Sequence, residues 1–232
     1  MNLSRGTRTS PAPACSKESN VKIAVVAANG RVGQLVTKEA VERGHEVTAF
    51  VREDENRSVA PHAIHKGVSD ITRADLEGFD VVVDAVGGWD EQTAPAIPNA
   101  AKALSGVLAG TDVRLVVVGG AGSLYVNPEH TLTVAQGPDF PESFKLVASV
   151  HQEALDFLRG VADVRWTYIS PAADFQAEGE RTGSYILAGE EFTLNDAGES
   201  VISYADYAIA LIDEAERTDG SHEKARISVL GK

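Results

Sequence analysis

Residues 21–52, VKIAVVAANGRVGQLVTKEAVERGHEVTAFVR, constrain the fold of this chain more than any other stretch. The segment opens on a short apolar run, residues 21–26, whose length and β-branched content fit a strand buried on both faces. A turn follows over residues 27–33. Val32, Leu35, Val36, Ala40 and Val41 then recur at helical spacing and make one apolar face. Gly44 ends that helix, where a left-handed cap suits a residue without a side chain. A second strand, residues 46–51, finishes at Arg52. The whole is a βαβ unit of about thirty residues, the kind that sets a dinucleotide pyrophosphate on a helix N-terminus.

Within the turn, Gly30 and Gly33 stand where backbone approaches a phosphate and where a helix packs on its strand. Ala27 takes the place of a first glycine, which is tolerable if the turn needs no positive φ there. Ala27, Asn29, Gly30, Arg31, Val32 and Gly33 are the phosphate-binding candidates. Arg52 lies about twenty residues beyond the glycines, where a dinucleotide site meets the adenosine ribose. A guanidinium there can fork onto a 2′-phosphate, so the expectation is NADP(H) in preference to NAD(H). Glu53, Asp54 and Glu55 follow at once and are expected to face solvent.

The chain has 232 residues, enough for one sizeable core, and a single domain over residues 21–232 is the expectation. Its net charge of −13 leaves no basic surplus for a nucleic-acid backbone or an anionic membrane surface. The one cysteine, Cys15, excludes an internal disulfide and a thiolate metal cluster. These features suit a cytoplasmic protein acting on a small molecule as monomer or homodimer. Residues 1–20 are rich in Ser, Thr and Pro and read as a disordered leader. Their few basic residues faintly suggest a transit peptide.

Beyond Arg52 strand and helix signals alternate, which argues for a three-layer α/β fold with a mostly parallel, doubly wound sheet. Residues 63–67 read as a third strand; His62 and His65, three apart in extended chain, face opposite sides and make a poor metal pair. Residues 80–86 form a buried strand. Ligands of such sheets lie outside the carboxyl ends of the strands, which makes Ala85, Val86 and Gly87 candidates beside the cofactor ribose. A helix over 98–109 and a strand over 113–118 come next. The exit loop, residues 119–123, contributes Gly119 and Gly120 to the cofactor set. A helix over 141–159 and a strand over 164–169 follow. Ser203 reads as the N-cap of a helix holding Tyr204 and Tyr207 as core residues, and residues 225–230 as a last strand.

Four motifs, AANGRVG (27–33), RGHEVTAFVR (43–52), VVVGGAGSLYV (116–126) and SPAADFQAEGERTGSY (170–185), carry a family resemblance. Over residues 21–230 the chain resembles the atypical short-chain dehydrogenase/reductase group with NmrA-like and biliverdin-reductase-B-like members. Within that group it is similar to proteins named as NADH-flavin reductases. The resemblance implies a Rossmann fold with a small substrate lobe over 171–200, containing short strands over 185–187 and 191–194. It places Asp70 and Ile71 beside the adenine, although Asp70 could equally cap a helix running to Leu76. It also places Pro171 and Ala172 near the nicotinamide and Ser123 in the position of a catalytic serine. Phe144 and Arg181 are the substrate-side candidates. Arg181 would grip an anion such as a flavin phosphate, or else pair at the surface with Glu178 or Glu180. Reductases of the standard kind carry Tyr and Lys four apart on the helix after that serine. Residues 141–159 contain no tyrosine. The resulting expectation is hydride transfer to a flavin or similar aromatic acceptor without that pair. The alternative is an NmrA-like dinucleotide sensor with little turnover.

Overall fold

The computed structural model describes residues 20–232. The leader expectation, Cys15 included, lies outside the described residues but for Asn20.

The first unit forms as its sequence requires. Strand β1 (Lys22–Val26) runs into helix α1 (Arg31–Glu42), and β2 (Glu46–Val51) returns parallel to β1. Gly44 closes the helix at φ +84°. Strand β3 (His62–His65) extends this half of the sheet without a helical crossover; two short 3₁₀ turns, Val68–Asp70 and Arg73–Asp75, lead onward. The second half contains β4 (Val81–Asp84), α2 (Ala96–Leu108), β5 (Arg114–Val118), α3 (Glu142–Arg159) and β6 (Arg165–Ser170). The chain ends with β7 (Asp174–Gln176), β8 (Ile186–Ala188), β9 (Val201–Ser203), α4 (Tyr204–Glu216) and β10 (Ala225–Leu230).

Eight strands make one sheet in the order β3-β2-β1-β4-β5-β6-β10-β8. All neighbours are parallel except β8, which runs antiparallel to β10. Strand order reverses between β1 and β4, the crevice where a doubly wound sheet takes its ligand. Helices α1 and α4 cover one face, α2 and α3 the other. Val25, Val83, Val116 and Ile227 fill the first side and Ala24, Val82, Leu115 and Trp166 the second, as two-fold alternation along buried strands demands. The fold is a Rossmann-type α/β fold. Among the described residues no helix is long and apolar enough to cross a membrane.

At the amino ends of the strands, away from that crevice, a buried ion pair locks the sheet to α4. Arg114 Nη2 lies 2.6 Å from Glu214 Oε1, and its Nη1 donates to the carbonyls of Glu214 and Arg217. Removing one partner would strand the other charge in the core, so this pair is structural.

Several expectations are corrected here. No helix runs to Leu76. Thr72 and Asp75 form a capping box on a single 3₁₀ turn, so Asp70 caps nothing. The expected strand over 191–194 reduces to one bridge between Glu191 and Tyr125. The 171–200 segment contains two short strands, β7 and β8. It gives β7 to a two-stranded sheet with β9 and gives β8 to the edge of the main sheet. Ser203 does cap α4, its Oγ accepting from Asp206 N at 3.0 Å, and Tyr207 is buried with its hydroxyl donating to Ile169 O at 2.7 Å.

Candidate dinucleotide site

Because β1 to β6 run in parallel, their carboxyl ends share one rim. The turn 27–33, Arg52, Asp70, residues 85–87, 119–120 and 171–172 all lie at or just beyond that rim. Hydrogen bonds hold the backbone of these loops to neighbouring strands. Ala27 N donates to Phe50 O at 3.0 Å, Ala85 N to Val26 O at 3.2 Å and Gly119 N to Ile169 O at 2.9 Å.

The phosphate turn is built for an anion. Gly30 is the N-cap of α1 and no side chain caps the helix; its first turn holds no acidic residue. The leading N–H groups and the positive end of the helix dipole therefore face the rim. A Cβ on Gly33 would overlap the carbonyl oxygen of Ala27, so glycine is required for helix and strand to meet. Ala27 itself sits at φ +61°. The turn does need a positive φ at that position, and alanine holds it at a cost of roughly 1–2 kcal/mol.

Asn29, a candidate for the phosphate, instead organises the next loop. Its Nδ2 donates to Glu53 Oε2 at 3.0 Å and to Glu55 O at 2.8 Å, while Arg57 N donates to its Oδ1 at 2.7 Å. Glu53 is therefore tied to the phosphate turn with 39% of its side chain still exposed, while Asp54 and Glu55 face solvent as expected. The Asn29 amide holds the Glu53 carboxyl below the usual range. Arg52 projects outward with 79% of its side chain exposed and its Nε 3.2 Å from Glu53 Oε1. Nothing in the residue pattern marks this tether, because Asn29 and Glu53 are far apart in sequence.

The remaining candidates divide by burial. Ile71, Ala85 and Ala172 turn their side chains into the core, so only their backbone meets the rim. Pro171 is buried beside them, while Arg31, Gly87 and Asp70 are exposed and Val32 and Val86 partly so. Phe144 is 48% exposed on the first turn of α3. Ser123 is not open to a substrate. It is 3% exposed, and its Oγ lies 3.3 Å from Nη1 of Arg226, a buried arginine also paired with Glu190. Arg181 lies away from the rim as well. Its Nη2 donates to Glu39 Oε2 at 2.9 Å, about two turns along α1 from the phosphate end, and not to Glu178 or Glu180. Tyr185 is on the same flank, donating to Asp213 at 2.7 Å.

Below the rim lie three polar groups that sequence reading did not single out. Asp84 ends β4 with its carboxyl 3% exposed and one hydrogen bond, from Val86 N at 3.1 Å; burial pushes its pKa up to about 7. Tyr168 is fully buried, and its hydroxyl accepts from Gly120 N at 3.1 Å and meets His151 Nδ1 at 3.3 Å. Burial lowers His151 to about 4, so its imidazole is neutral at physiological pH. The only signal for this pair was a tyrosine inside an apolar strand.

Comparison with known proteins fits this geometry. Residues 27–215 match a protein family described as NAD(P)H-binding. The chain belongs to that NAD(P)H-binding family. The family's span runs from the phosphate turn to α4 and so includes every candidate above. The chain is 40% identical over 214 residues to the uncharacterized protein YwnB of Bacillus subtilis (strain 168), covering 91% of this chain and 99% of that one. A solved structure from Streptococcus pneumoniae TIGR4, described as a “putative NADH-flavin reductase”, is 50% identical with a TM-score of 0.88. That alignment covers 92% of this chain and all of the other. A Bacteroides thetaiotaomicron structure described as a “putative epimerase” is 31% identical with a TM-score of 0.75, over 92% of this chain and 98% of its own.

Proposed function

We propose that the protein is an NAD(P)H-dependent reductase that passes hydride to a flavin or a similar aromatic acceptor. The observation that carries this reading is the uncapped, acid-free N-terminus of α1 at the strand-order reversal, together with a helix α3 on the opposite face of the sheet that bears no tyrosine. The bound nicotinamide would supply the hydride. Residues 30–33 would hold the pyrophosphate through backbone N–H groups, and residues 85–87 and 119–120 would form the floor along the rim. With Ser123 buried and α3 without a tyrosine, no side chain there resembles the usual proton donor. Flavin suits such a site, because its ring takes hydride and draws the accompanying proton from water. Catalysis would rest on placing two rings face to face. The name of the Streptococcus relative points the same way.

For the ribose end, the sequence favours NADP(H) through Arg52, but the geometry favours NADH. The Glu53 carboxylate, held by Asn29 and about twenty residues beyond the glycines, would accept from ribose hydroxyls and repel a 2′-phosphate. The test is kcat/KM for flavin reduction with each cofactor in wild type, Glu53→Gln and Arg52→Ala. NADH preference in wild type, reduced about tenfold or more in Glu53→Gln, is expected. Preference for NADPH that Arg52→Ala erases would instead restore the arginine as the deciding group. A protein that binds dinucleotide but reduces no flavin or quinone would be the sensor, not the reductase.

A further inference from the structure

We propose that Trp89 is the platform on which the planar acceptor stacks, an inference that rests on the reductase reading above. Trp89 is 66% exposed, whereas the chain's other tryptophan, Trp166, is 2% exposed in the core. Of the large hydrophobic residues that stand exposed among the described residues, Trp89 and Phe144 are the only aromatics. Both sit at the same rim. Trp89 lies in the loop from β4 into α2, and Phe144 lies on the first turn of α3, the helix packed beside α2. Their shared side of the sheet flanks the crevice and the 119–123 loop.

The exposure of Trp89 does not come from a slack loop. Trp89 N and Asp90 N donate to Thr93 Oγ1 at 3.0 and 3.3 Å. Asp90 Oδ1 accepts from Gln92 N at 3.0 Å and from Thr93 N and Oγ1 at 2.8 Å each. Gly88 is pressed onto the Thr93 carbonyl with no room for a Cβ, and Ala94 is fully buried as an anchor. A knot this well bonded fixes the indole's backbone while leaving its ring in water. An aromatic ring held that way carries little conformational cost on binding and offers a flat, electron-rich surface to an electron-poor tricycle.

The surroundings also select which part of a flavin is recognised. Asp90 and Glu91 follow Trp89 directly, and Arg181, the expected phosphate grip, is taken by Glu39. Recognition therefore falls on the ring, and riboflavin should bind within about threefold of FMN.

Binding is measured by quenching of riboflavin emission in the presence of NAD⁺, so that no turnover occurs. Wild type, Trp89→Ala and Trp89→Phe are compared, with Trp166 emission reporting that each variant is folded. Stacking on an aromatic side chain predicts that Trp89→Ala weakens riboflavin about tenfold or more, while Trp89→Phe stays within about threefold of wild type. The Kd for NADH should not change. Equal riboflavin affinity in wild type and Trp89→Ala overturns the proposal, as does wild type binding no riboflavin. A parallel assay of NADH oxidation with FMN separates the two readings. Binding through Trp89 without turnover sinks the reductase and keeps the platform. Turnover with an unchanged flavin KM in Trp89→Ala does the reverse.

Discussion

Asp84 shows how a single residue can sit against the grain of its surroundings. It ends a strand of valines, is buried with no cation beside it, and is raised from 3.8 to about 7 by that burial. An acid whose folded pKa is raised stabilises the fold least when ionised, so its contribution is lost as pH rises from about 4 through 7. The gap between the two values caps the cost at roughly 4 kcal/mol. His151 acts with the opposite sign: held neutral with its pKa near 4, it lowers stability as pH falls below about 6.5. The two offset one another in wild type between pH 4 and 6.5. Asp84→Asn keeps the acceptor for Val86 N and removes the acid. Urea unfolding should show the variant more stable than wild type by about 1–3 kcal/mol at pH 8 and indistinguishable from it near pH 4. No gain at pH 8 would mean that the carboxylate is stabilised by something else. A lone Asp in an apolar strand was visible in the sequence, but its isolation was not, since that depends on what β1 and β5 place around it. The same holds for Ala27, whose positive φ is imposed by the meeting of α1 with β1, and for Glu53, which is turned by Asn29.

At the scale of elements, the sequence placed strands and helices well because the apolar period is strong. It misjudged what joins them. Arg181 is the clearest case. It stands in a polar run with acidic neighbours, so a local partner or a ligand seemed natural. Packing instead brings α1 beneath it, and Glu39, already held by Arg43, takes its guanidinium. Arg181→Ala should therefore leave the acceptor KM unchanged. Its side chain is 53% exposed, so the stability loss should be no more than about 1 kcal/mol. A KM raised tenfold at unchanged stability would return Arg181 to the substrate site. Edge strand β8 was nearly legible, but its antiparallel place beside β10 was not, because edge pairing depends on the return path of the chain and leaves little periodic trace.

For the whole molecule, the mostly parallel, doubly wound sheet followed from one βαβ unit and the alternation after it, since right-handed parallel crossovers leave few topologies open. The carboxyl-end rim, and with it most backbone contacts of the site, then follows. The net charge of −13 does not oppose a dinucleotide, because the N–H groups of α1 act within a few ångströms while distant charges are screened beyond about 8 Å at physiological salt. The account stands on that helix end. Its most direct test is an NADH fluorescence titration of wild type against Gly30→Asp, with thermal unfolding as a check on folding. The substitution puts a carboxylate at the N-terminus where phosphate is to bind. Wild type should bind NADH and folded Gly30→Asp should lose at least tenfold in affinity; equal affinity in the two would place the cofactor somewhere else.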